Sequence, residues 1–135
     1  MGDVRTQKIP KERYSVYLSK ARDFYDAMNN AAEDENWNAA ALSAIHCIIS
    51  SNDALTTFFL ELRSVGQKHE DALQLLKQTK LPGVEEKTKQ FLDVLSLKNL
   101  VEYEASEPSE NQARQMTKQA ERFYGWVKQN LPAPA

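Results

Sequence analysis

The sequence predicts an all-α fold, an up-and-down antiparallel bundle of four long helices plus one short helix. The chain has only 4 glycines and 5 prolines in 135 residues, and they lie at the edges of periodic segments. No stretch shows sustained alternation of apolar and β-branched residues with polar ones, so the pattern predicts no strand. Helices joined by short connections pack largely antiparallel, which gives the bundle its predicted topology.

Length and composition restrict the class of protein. A chain of 135 residues fits one domain, which we place at residues 11–131, between a flexible N-terminal arm at 1–10 and a tail at 132–135. The formal net charge of −2 argues against a general nucleic-acid coat. The single cysteine, Cys47, excludes a disulfide framework and a zinc site built on paired thiolates. No targeting segment or membrane-spanning run is visible, so we expect a cytoplasmic protein with no metal and no cofactor.

The spacing of apolar residues places the first two helices. Residues 11–32 carry apolar side chains every three or four positions, which puts them on one helix face. Residues 37–63 form a second helix that is apolar or small almost all round in its first half, as expected for a central helix. Asp34 or Asn36 can cap it, and Gly66 is its expected stop signal.

Three further helices follow in the second half of the chain. A short helix is predicted over residues 69–78 and a longer one over residues 84–99. A connection over residues 100–108 leads to the last helix. Ser109 begins that helix, and Gln112 three residues later completes a capping box.

Few side chains in the predicted helices are candidates for chemistry. Neither His46 nor His69 belongs to a Glu-x-x-His motif, which argues against a diiron site, and His46 is expected to be a core histidine. Cys47 is expected to be a buried, inert thiol, because adjacent helix residues point about 100° apart and His46 cannot activate it. Asp53 is the only acid between residues 37 and 60, so it needs a cationic partner or a groove.

One segment near the end of the fourth helix combines three polar side chains. Lys98 supplies a cation, Asn99 an amide and Tyr103 a phenol. A lysine near a helix C-terminus is favoured by the helix dipole whatever its function. The segment is therefore a candidate site, and a simple helix cap is the alternative.

Several features of the chain, taken in order, are typical of one family. They are the Tyr/Ala/Phe face of the first helix, Trp37 before an alanine-rich helix, Asp53-Ala54-Leu55, His69-Glu70-Asp71-Ala72 with Leu75-Leu76, the Leu95–Tyr103 segment, and Ala120-Glu121-Arg122-Phe123-Tyr124-Gly125-Trp126. Together they resemble the HEPN family (higher eukaryotes and prokaryotes nucleotide-binding domains) from about Tyr14 to Leu131. The resemblance implies a four- or five-helix bundle, usually dimeric. Many members are metal-independent ribonucleases that act as toxins or defence proteins, and small members often pair with a nucleotidyltransferase.

The chain departs from the motif of the ribonuclease members. They share an arginine and a histidine separated by four to six residues, and here Lys98 and Tyr103 occupy those positions. Lysine keeps the charge but lacks the bidentate guanidinium fork. Tyrosine, with an ordinary pKa of about 10, is a poor base at neutral pH.

The resemblance and this departure together lead us to expect a non-catalytic HEPN-like homodimer that binds a nucleotide, RNA or a nucleotidyltransferase-type partner. Its groove would be lined by Lys98, Asn99 and Tyr103, with Asp53 nearby. Two alternatives stay open. One is a metal-independent ribonuclease that uses Lys98 and Tyr103 in place of the usual pair, and the other is a structural dimerisation scaffold.

Overall fold

The protein is an α-helical bundle that also contains a very short β-ribbon. The computed structural model describes residues 5–65, 69–102 and 106–133. In these ranges the elements are β1 (Thr6–Lys8), α1 (Tyr14–Glu33), α2 (Trp37–Leu60), β2 (Leu62–Ser64), α3 (His69–Gln78), α4 (Val84–Leu95), α5 (Lys98–Glu102) and α6 (Glu110–Asn130), with a 3₁₀ turn at Lys11–Arg13 before α1. The all-α prediction is confirmed. None of the helices in the described ranges has the length and apolar character needed to cross a bilayer.

Helix α2 is the centre of the bundle, as its nearly uniform apolar surface predicts. It packs along α1 on one side and α6 on another, and it also contacts α3, α5 and β2. Ile45, Ile48 and Leu55 of α2 are fully buried, as are Phe123 and Val127 of α6. Fully burying a side chain of this size stabilises the fold by about 1.5–3 kcal/mol. Asn36 is the N-cap residue of α2, although its side chain makes no capping hydrogen bond.

The end of α2 differs from the sequence prediction. The helix stops at Leu60 rather than at residue 63, because Glu61 has a left-handed backbone with φ of 54°. Residues 62–64 then pair antiparallel with residues 6–8, in the register Gln7 opposite Arg63. The prediction of no strand is therefore wrong, and residues 6–8 of the expected arm are paired. Three-residue strands are too short to show alternation. Gly66, the expected stop, lies outside the described residues.

The fourth predicted helix is two helices. Helix α4 ends at Leu95, the backbone turns at Ser96 and Leu97, and α5 begins at Lys98. The connection predicted from residue 100 onward is therefore wrong for residues 100–102, which are helical. Lys98 lies in the first turn of α5 and not in the last turn of a long helix, so the helix dipole does not favour its charge.

The start of α6 agrees with the sequence in detail. The Ser109 hydroxyl accepts a hydrogen bond from the Gln112 N–H at 3.0 Å, and the Gln112 side chain accepts one from the Ser109 N–H at 2.9 Å. This reciprocal pair is the predicted capping box. Near the other end of α6, Trp126 Nε1 donates to the Pro82 carbonyl at 3.3 Å and ties the α3–α4 turn to the bundle.

Candidate functional site

Three charged or titratable side chains of α2 and α5 meet at the surface; they are named here the His46 cluster. Lys98 Nζ lies 3.4 Å from Glu102 Oε2, and His46 Nε2 lies 3.7 Å from Glu102 Oε1. One carboxylate thus faces two nitrogen groups, one at each oxygen. The exposed fractions are 40% for the His46 side chain, 24% for Lys98 and 15% for Glu102, so the cluster is open to solvent on the histidine side.

The sequence positions this cluster through the apolar residues around it. Leu97 and Val101 are partly buried against the core and hold α5 on the bundle. Lys98 and Glu102 each follow one of them and are four residues apart, a spacing that places two side chains on the same helix face. The His46 ring stacks on Phe24 of α1, with centroids 5.1 Å apart. Helices α1, α2 and α5 therefore all contribute to the geometry.

An open face of α2 borders the cluster; it comprises Asn38, Leu42, His46 and Ile49 and is named here the open strip. Their spacing of four, four and three residues places them on one side of the helix. Leu42 is 39% exposed although it is a large apolar residue. The Asn38 amide donates to Glu107 Oε1 at 3.2 Å. The strip thus offers apolar area next to hydrogen-bonding and charged groups.

The structure separates the residues that the sequence assigned to one groove. Lys98 joins the His46 cluster, and Asn99 is exposed beside it on α5. Tyr103 lies outside the described residues. Asp53 follows His46 on α2 by seven residues, about 10 Å along the helix axis, and its ion-pair partner comes from a different element.

Asp53 pairs with the β-ribbon. Arg63 of β2 donates from Nε to Asp53 Oδ2 at 3.3 Å, and the Arg63 guanidinium lies 5.2 Å from the centroid of the Tyr17 ring. Burial raises the pKa of Asp53 from its ordinary 3.8 to about 6, against the opposing effect of Arg63 and, to a lesser degree, Lys20. The expected cationic partner is present, and it comes from a strand rather than from another helix.

Sequence reasoning missed two members of the His46 cluster. His46 was expected to be a core residue because its neighbours are apolar, yet its side chain is 40% exposed. Glu102 was assigned to a connection, although its four-residue spacing from Lys98 was a visible signal for an ion pair on one helix.

Two other chemical possibilities find no support in the described ranges. Cys47 is fully buried, and burial raises the pKa of its thiol to about 12, so it is protonated at neutral pH and is not a nucleophile there. No group of three or more His, Cys, Asp or Glu residues among those described is arranged to hold a metal ion.

The fold and this cluster define a small all-α bundle domain with a charged face on a short helix. Residues 14–130 match the family model of the HEPN domain, and the chain belongs to the HEPN family. A search of curated proteins and a search of solved structures found no match to the chain.

Proposed function

We propose that this chain is a non-catalytic HEPN domain whose α5 face binds the phosphate groups of a nucleotide or of RNA. The observation that carries the proposal is the placement of Lys98 and His46 on opposite oxygens of Glu102, beside the exposed amide of Asn99. Nucleotides and RNA are cytoplasmic ligands, which fits the location expected from the sequence.

On binding, a phosphate group would replace the Glu102 carboxylate as the partner of Lys98. The exposed histidine side of the cluster gives the phosphate access to Lys98 Nζ as it displaces the carboxylate. In the absence of ligand, the Glu102 carboxylate holds Lys98 and His46 close to the position where the phosphate would bind. Asn99 can then donate a hydrogen bond from its amide.

The chemistry of lysine favours binding over catalysis. An ammonium group is a point charge and lacks the two parallel N–H bonds with which arginine orients a phosphate. A site built on Lys98 therefore attracts phosphate without fixing its geometry in a transition state.

One observation favours a ribonuclease as a second candidate. His46 lies within 3.7 Å of the carboxylate that contacts Lys98, so the imidazole missing from the family's motif position is supplied by α2. A histidine beside a carboxylate is a suitable acid or base for attack by an RNA 2′-hydroxyl. In this candidate His46 takes the role that the sequence assigned to Tyr103.

The open strip supports a further proposal, that the domain associates with protein through this face. Leu42 is the exposed apolar residue at its centre, and aliphatic area surrounded by polar groups is typical of interfaces. A second copy of the chain or a nucleotidyltransferase would contact it there. Leu42→Arg should abolish such an association while leaving the helical content unchanged, as measured by sedimentation and circular dichroism.

Fluorescence anisotropy of a labelled single-stranded RNA, in EDTA, tests the phosphate-binding proposal. Lys98→Ala should weaken binding about tenfold and lower the salt slope by about 1, because one phosphate contact is lost. Glu102→Gln should tighten binding, because it removes the competing carboxylate. Lys118→Ala is the matched control, since Lys118 is an exposed lysine on α6.

The outcomes separate the candidates. Equal affinities of Lys98→Ala and Lys118→Ala would refute the phosphate site. Cleavage of the RNA by the native protein in EDTA, with loss of cleavage in His46→Ala, would establish the ribonuclease instead. AMP added as a competitor shows whether a single nucleotide is sufficient for binding.

A further inference from the structure

We infer that the groove between α1 and α6 is a binding site for a small amphipathic anion, an aliphatic body that carries one carboxylate group. The groove has a volume of about 740 Å³, within the range of small-molecule sites. Its lining includes Leu18, Arg22, Gly125, Lys128 and Pro132.

The groove exists because α1 and α6 contact each other little and the residues between them are small. Helices α1 and α6 each pack mainly on α2 and contact each other much less. Ser15 and Ser19 of α1 and Gly125 of α6 line the space between them. Side chains of ordinary size at these positions would fill it.

Gly125 has no explanation in the packing of the fold. It lies inside α6, where glycine is less favourable than alanine, and its backbone is not left-handed. A Cβ built at this position would meet no described atom within 4 Å, so no neighbour requires the glycine. The absence of a large side chain at this position keeps the groove beside it open.

The charges of the groove select an anion. Arg22 and Lys128 both line it, and none of the described lining residues carries a carboxylate. Asp26 lies one turn beyond Arg22 on α1, outside the lining. An anionic group between the two cations would form charge-assisted hydrogen bonds.

The apolar part of the lining favours a ligand with an aliphatic chain over one with a planar nucleotide base. Tyr124 is the lining aromatic, and it is 4% exposed. Lys128 Nζ lies 4.6 Å from its ring centroid, and Tyr25 packs on the ring at 4.8 Å. A nucleotide base therefore finds no open ring to stack on, whereas Pro132 and Ala133 offer exposed aliphatic surface.

This groove is separate from the His46 cluster. Helix α1 contributes Phe24 to the cluster, and it contributes Ser15, Ser19 and Arg22 to the groove. At 3.6 residues per turn these two sets lie on opposite sides of the buried stripe of α1. The inference therefore does not depend on the proposed phosphate site.

Titration of the ¹⁵N-labelled protein with octanoate, followed by NMR, tests the inference. We expect saturable shifts of the backbone amides around Gly125 and Lys128, at least tenfold weaker binding of 1-octanol, and no binding of octylammonium. Lys128→Ala should weaken octanoate binding about tenfold, the effect of one lost hydrogen bond to a charged group. Lys118→Ala, on the same helix, should leave it unchanged.

Two substitutions that fill the groove complete the test. Gly125→Leu should abolish octanoate binding, while Gly125→Ala should retain it. Ser19→Leu fills the groove from the opposite wall and replaces Gly125→Leu should that variant not fold. Equal affinity for octanoate and 1-octanol, shifts spread over the whole protein, or undiminished binding in a folded groove-filling variant would overturn the inference.

Discussion

Replacing Asp53 with asparagine tests whether burial or the ion pair with Arg63 has the larger effect on the pKa of this carboxyl group. Burial is the larger effect, because it raises the pKa of Asp53 to about 6 from an ordinary 3.8. The folded state therefore binds the Asp53 proton more tightly than the unfolded state does. The stability that results is fully present below pH 3.8 and is lost as the pH rises through 6.

The two pKa values give the size of the effect. Their difference, 6 − 3.8, is about 2, and each unit corresponds to about 1.36 kcal/mol, so the free energy of unfolding falls by about 3 kcal/mol from pH 3.5 to pH 7 through this group. Asparagine resembles the protonated acid and does not titrate. Arg63, with a third of its side chain exposed, can be solvated without its partner. Asp53→Asn should therefore be similar in stability to the native protein near pH 4 and more stable at pH 7, by up to about 3 kcal/mol.

Urea unfolding from pH 4 to pH 7.5, monitored by the fluorescence of Trp37 and Trp126, measures this difference. Subtracting the two curves cancels the titration of all other groups. Arg63→Gln is the companion variant, and its stability should fall more steeply with pH because it retains the buried acid without the cation. A variant Asp53→Asn that is less stable than the native protein at pH 7, by a margin that grows from pH 4 upward, would refute the reasoning and assign control to the ion pair.

Three further predictions concern the core, a cap and the thiol. Phe123→Ala should lower the free energy of unfolding by about 3–5 kcal/mol, because the ring is fully buried, while Phe59→Ala, at a 38% exposed position, should cost much less; equal losses in urea unfolding would contradict this. Ser109→Ala removes the α6 cap and should cost about 0.5–2 kcal/mol in the same assay, with Ser109→Asp close to native. Cys47 should react with a thiol reagent only after unfolding, and rapid reaction of the native protein would show that the thiol is accessible.

Local signals predicted most of the helical architecture. The bounds of α3 at residues 69–78 and the Ser109 capping box follow from patterns within a few residues of one another. The central position of α2 follows from the absence of a charged face in its first half. These features do not require knowledge of which distant segments meet.

The features that sequence reasoning missed depend on distant contacts. The β-ribbon pairs residues 6–8 with residues 62–64, and neither segment is long enough to be recognised alone. The candidate site in the structure differs from the predicted one for the same reason. His46 and Glu102 are 56 positions apart in the sequence, and the packing of α5 on α2 brings them together. From the sequence alone, a histidine among apolar residues does not show whether its face of the helix packs against another element or is exposed to solvent.

The β-ribbon joins the segment before α1 to the segment after α2, so two strands of three residues close a loop that contains both helices. Ile9 and Val65 extend the pairing by donating to the Glu61 and Arg5 carbonyls, each at 3.1 Å. If β1 detached, β2 would present an unpaired strand edge that β1 of a second molecule could pair with in the same register. Two chains that exchange this strand form a domain-swapped dimer. Such a dimer would leave the open strip of α2 uncovered, so its presence in solution would not by itself mean that the strip is an interface.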